Sequence, residues 1–159
     1  MNNLTGTNNM MNANLILIRG LCGSGKSTLA KKLSVAENGK HLEADMYFVN
    51  EKGEYIFDAS RLHRAHVWCQ TETFYALLAN KHVYVSNTFT TLKELRPYFD
   101  IALEFNITPT VITMNNQWGN VHNVPEDKLL VMKNRFVHDL SPLFEEHSKN
   151  LHNKYPQNF

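Results

Sequence analysis

Cysteine is nearly absent from this chain: Cys22 and Cys69 are the only two in 159 residues, too few for a disulfide framework. No secretory leader is legible, so both are expected to be free thiols in a reducing, cytoplasmic setting. Long apolar runs are also lacking. The longest, NLILIRGLC at residues 14–22, falls far short of the roughly 20 residues that cross a bilayer as a helix, so no membrane partner is expected. Charge of one sign is missing too. Sixteen Lys and Arg against fifteen Asp and Glu leave a formal net charge of +1, which provides no broad basic face for nucleic acid and no acidic face for a basic partner. Glycine is scarce, seven in all, yet three of them fall within GLCGSGKST at residues 20–28. That concentration is the first positive signal.

Length and a hydrophobic content of 43% suit one domain with its own core. Residues 1–13, rich in Asn and without apolar periodicity, read as a disordered or weakly docked tail, and 14–159 as a single domain. Short apolar runs then alternate with helical patterns, the signature of parallel β/α layering. The expected strands are Leu15–Arg19, His41–Ala44, Val83–Ser86 and Thr110–Met114. One helix is expected to start in the glycine stretch and reach about Ser34. A second is capped by Asp58 or Ser60 and buries Ala65, Cys69 and Ala76. A third opens on a Thr91/Glu94 capping box, with Pro97 obscuring its start. A fourth has Pro125 at its first position, Glu126 and Asp127 at its positive end, and Leu129, Met132 and Phe136 on one face. The segment after Leu140 reads as one short helix. The fold class is α/β: a three-layer sandwich, a mainly parallel sheet of four or five strands with helices on both faces and a helical lid near residues 115–135.

Gly20, Gly25, Lys26 and Ser27 match G-x-x-x-x-G-K-[ST]. At average glycine usage a chance match in a chain of this length has a probability of roughly half a percent. The apolar strand before it and the helical pattern after it are what the chemistry requires, because amides from Gly20, Leu21, Cys22, Gly23, Ser24, Gly25 and Thr28 must converge on one anion. Lys26 would reach the β- and γ-phosphates of a nucleoside triphosphate, and Ser27 would ligate Mg²⁺.

Asp45 follows the second strand, so the carboxyl-end rule for open parallel sheets directs it toward the same crevice. There it could take a proton from an attacking hydroxyl, although its type and position equally suit a helix cap or a surface aspartate. Phosphoryl transfer also calls for a cation from outside the loop. Arg135 is the candidate, with an ordinary exposed helix arginine as the alternative.

GLCGSGKSTLA, EADMYF, GEYIFD, LHRAHVWC, SNTFT and NVHNVPEDKLLVMKNRF, in that order from Leu15 to Phe136, resemble the P-loop kinase domain of bacteriophage-type polynucleotide 5′-hydroxyl kinases and their AAA-like ATP-binding relatives. The resemblance implies transfer of the ATP γ-phosphate to a hydroxyl acceptor, with Asp45 as base, Arg135 as lid arginine, and GEYIFD, Asn87 and Thr88 on the acceptor side. The acceptor implied is a polynucleotide 5′ end. The chain departs from the pattern at Ser86, where members commonly carry an acid, at Phe48, where the phage enzymes carry an arginine, and at Gly119, where a basic residue is expected. Two other readings stay open: a small-molecule kinase acting on a nucleoside, nucleotide or modified base, and an ATP-binding switch that transfers nothing.

Overall fold

The computed structural model describes residues 11–115 and 124–158. Its four strands are β1 (Leu15–Arg19), β2 (Lys40–Leu42), β3 (Val83–Asn87) and β4 (Thr110–Thr113), and all pair in parallel in the order β2-β3-β1-β4. The helices are α1 (Lys26–Ala36), α2 (Leu62–Leu78), α3 (Leu92–Glu104), α4 (Glu126–Arg135) and α5 (Ser141–Lys154). None of them is long and apolar enough to cross a membrane.

β1 and β3 read as continuous apolar runs because they are central and covered twice. Leu15, Leu17, Val83 and Val85 pack with Ala65, Cys69, Leu77, Leu95 and Phe99 from α2 and α3, and Leu143 of α5 joins them. Ile18 and Tyr84 point the other way and meet Ala30, Leu29 and Leu33 of α1. The chain leaves β1 through α1 toward β2 on one side, and leaves β3 through α3 toward β4 on the other. Right-handed crossovers in opposite directions put α1 and α3 on opposite faces. The carboxyl ends of β1 and β3, where these connections diverge, form the crevice in which such sheets bind ligands.

β1 runs as expected, but other boundaries moved. β2 stops at Leu42, because the chain turns into a 3-10 segment, Ala44–Phe48, whose first amide is taken by Asn87 Oδ1 at 2.9 Å. No fifth strand occurs among the described residues. α3 opens on the expected Thr91/Glu94 box and continues through Pro97, losing the one bond that a Pro97 amide would give Lys93. Pro125 is the cap of α4 rather than its first residue, and α5 is a full helix of 14 residues. Of the expected tail, residues 1–10 lie outside the described residues, whereas Ala13 is buried in the core and the Asn12 amide donates to Asn80 Oδ1. The expected lid is described from Val124 onward; residues 116–123, with Gly119, lie outside.

Candidate functional site

The loop between β1 and α1 is shaped by glycine at the places where a side chain could not stand. A Cβ on Gly20 would lie 2.5 Å from Ser24 Oγ and 2.8 Å from the Met114 carbonyl oxygen. Gly23 and Gly25 take φ values of 80 and 85°, the left-handed region that glycine enters at little cost. Gly25 is the N-cap of α1, so the helix has no side-chain cap, and its first turn holds no acid. The amides of Lys26, Ser27 and Thr28 have no partner within the helix, and they face a cleft of about 540 Å³ that Gly23, Gly25 and these three residues line. With Lys26 in the first turn, whose Nζ turns back to the Leu21 carbonyl at 3.4 Å, this wall is built for an anion. Cys22 is a half-buried free thiol in the loop.

The same cleft is lined by Glu43, Asp45 and Tyr55. Tyr55 Oη donates to Asp45 Oδ1 at 3.3 Å, and burial together with the Asp45 charge raises the Tyr55 hydroxyl above its ordinary pKa of 10. Tyr55 belongs to a hairpin arm bridged to Val49, with Phe48 and Phe57 against its ring. Phe48, in the position where an arginine was expected, is 5% exposed and serves as the centre of that aromatic cluster. Asn87 does not line the cleft; its amide oxygen holds the Ala44 amide and so fixes where the 3-10 turn aims Asp45.

Glu43 was missed in the sequence. Its Oε2 accepts from Ser27 Oγ at 2.8 Å, and its Oε1 lies 3.4 Å from His41 Nε2, which in turn is 2.8 Å from Ser86 Oγ. Strand alternation puts His41 and Glu43 on the α1 face, opposite Leu42. The alternation was legible, but the β2/β3 register that brings Ser86 to the same place was not. Burial holds the His41 imidazole below its ordinary 6.5, with Lys31 adding to the effect and Glu43 opposing it.

Lys26, Ser27 and Asp45 thus share one cleft, with the glycines. Arg135 stands apart from it. Its Nε donates to Thr90 Oγ1 at 3.0 Å, and Thr90 Oγ1 donates to Glu94 Oε2 at 2.6 Å. The next residues fasten the end of α4 to the loop after β3, with Val137 N–H on the Thr90 carbonyl and Phe136 under the buried Arg19 guanidinium. The charge of Arg135 is felt by Glu94, whose carboxylate it helps to keep ionised.

Among known proteins, the sequence profile of a family described as AAA domain matches residues 15–136. NEDD4-binding protein 2 of Homo sapiens is 30% identical over an alignment of 129 residues that covers 74% of this chain and 7% of that protein. The fold is shared with a chain of the Pnkp1/Rnl/Hen1 RNA repair complex, at TM-score 0.56 and 17% identity over 96% of this chain and 48% of that one. It is also shared with a gluconokinase from Sinorhizobium meliloti 1021, at TM-score 0.52 and 15% identity over 92% of this chain and 98% of that one. The shared architecture is a parallel α/β sandwich with a phosphate-type loop between its first strand and first helix.

Proposed function

The chain belongs to the AAA domain family matched over residues 15–136, and from that premise we propose that it is an ATP-dependent phosphotransferase acting on a hydroxyl, with a polynucleotide 5′-hydroxyl as acceptor. The observation that carries this reading is that the first turn of α1 and Asp45 line one and the same cleft. A triphosphate held by the first turn of α1 would share that cleft with Asp45, the arrangement in which positioning and charge stabilisation supply most of the rate.

Each residue then has a task. Loop amides and Lys26 hold the phosphates. Asp45 accepts the proton of the acceptor hydroxyl as its oxygen bonds to the γ-phosphorus, while the bond from that phosphorus to the bridging oxygen breaks and ADP leaves. Arg135, which bonds to Thr90 outside the cleft in this structure, would serve as the added cation only after exchanging that partner for the phosphoryl group. Among the described residues no group of three or more His, Cys, Asp or Glu is set for a metal. Mg²⁺ needs only one or two protein oxygens beside phosphates and water, and the Ser27 hydroxyl with Glu43 next to it fits that demand. Bound there, the ion would supply charge neutralisation on the β- and γ-oxygens.

The buried, aromatic Phe48 favours a second reading, a small hydroxyl acceptor, since no arginine stands there to take an acceptor phosphate. Incubation with γ-labelled ATP and a panel of oligonucleotides, nucleosides and nucleotides distinguishes them by which species gains label, and label appearing only as free phosphate removes both. Asp45→Asn should keep ATP binding and lower turnover by roughly 10²–10⁴. Arg135→Ala should lower turnover more than nucleotide affinity.

A further inference from the structure

Two carboxylates face the cleft, two residues apart, and their partners differ. Asp45 meets the hydroxyl of Tyr55 on the hairpin side. Glu43 meets the hydroxyl of Ser27 on the α1 side. Glu43 is still extended, at φ −147° and ψ 148°, so it continues the alternation of β2, whereas the 3-10 turn starting at Ala44 swings Asp45 toward the hairpin. β3 separates β2 from β1, and at roughly 4.8 Å per strand spacing the carboxyl must cross that strand to reach the first turn of α1. On β3 the residue crossed is Ser86, buried and uncharged. It bonds to His41, whose Nε2 also approaches Glu43 Oε1, so the strand beneath contributes an anchor and no charge. Ser27 donates its proton to Glu43, which leaves the lone pairs of Oγ toward the cleft and makes that oxygen a better ligand.

We propose that Glu43 is the positioning residue for the divalent cation that accompanies the nucleotide: it orients the Ser27 hydroxyl through the Ser27–Glu43 hydrogen bond and supplies, from the end of β2, the negative charge that β3 lacks at Ser86. The proposal rests on the cleft being an ATP site. It divides the two carboxylates by task, Glu43 to the metal and Asp45 to the acceptor.

The test uses the full chain. Affinity for a fluorescent ATP analogue is measured in EDTA and in saturating Mg²⁺, and Mn²⁺ affinity is measured by electron paramagnetic resonance in the presence of ATP. For Glu43→Gln the EDTA affinity should match the parent chain, while the gain from Mg²⁺ and the Mn²⁺ affinity fall roughly 10–100-fold. Glu43→Asp, shorter by one methylene, should lie between. Adding Ser86→Asp to Glu43→Gln should recover part of the loss by moving the charge to β3. A Glu43→Gln protein with the full Mg²⁺ gain overturns the proposal, and so does one that loses EDTA affinity equally, since that marks a merely structural role. If the parent chain binds no ATP in either condition, the nucleotide reading itself falls and the proposal with it.

Discussion

At the start of α3, Thr91 and Glu94 close a reciprocal box: Glu94 Oε2 accepts from the Thr91 amide at 2.8 Å, and the Thr91 side chain takes the Glu94 amide. At the start of α1 the cap is a glycine with φ 85°, no side chain answers the first amides, and the charged residue of the first turn is Lys26. Both helices leave the carboxyl edge of the same sheet, one after β3 and one after β1. The α3 terminus is satisfied by its own sequence and can be buried. The α1 terminus has no such partner and opens on the cleft, an arrangement suited to an external anion.

The sharpest way to break the contrast is to give α1 the device of α3. Thr28 occupies the third helical position of α1, as Glu94 does in α3, and it is exposed. Thr28→Glu should weaken ATP binding by roughly 100-fold or more, because a carboxylate then stands where the phosphates would sit. Its Tm without nucleotide should not fall, and a melting curve beside an ATP titration checks both halves. In the parent chain ATP at 100 times Kd should add about 2.7 kcal/mol, roughly 5–10 °C in Tm for a domain of this size. Thr28→Glu should show almost none of that shift at the same ATP concentration. The complementary change, Thr91→Ala, should cost about 1 kcal/mol in denaturant unfolding and leave ATP affinity unaltered. A loss of ATP affinity there would erase the distinction between the two termini.

The smallest expected effect is on acid stability. Burial pushes the Glu94 carboxyl up, but hydrogen bonds from Thr90 and Thr91 and the charge of Arg135 outweigh it and hold the group below its ordinary 4.5. A carboxylate depressed in the folded state contributes stability that is present above the unfolded value and lost as pH falls through the folded one. The stability gap between the parent chain and Glu94→Gln should therefore be widest near neutrality and close below about pH 4.5. A gap that widened toward acid would contradict the sign of this linkage.

The phosphate loop, β1 and the capping box of α3 were legible because each is encoded within a few consecutive residues: glycines at fixed spacing, an unbroken apolar run, a Thr and a Glu three apart. Arg135 was legible as a cation near the end of a lid helix. Its tie to Thr90 and Glu94 was not, since those partners lie 45 and 41 positions earlier. Glu43 escaped notice for the same reason. Beside Asp45 it looked like an ordinary strand-end acid; alternation already puts His41 on its face, but only the β2/β3 register brings Ser86 there and only the packing of α1 brings Ser27.

By itself the sequence determined that a strand, a glycine loop and a helix follow one another with amides bare at the helix start, because local backbone conformation is set by neighbours in the chain. Which carboxylate meets Ser27 and which meets Tyr55 is settled by the tertiary structure alone. That outcome depends on strand order and register, and these come from packing two faces of a sheet at once rather than from any short stretch of residues.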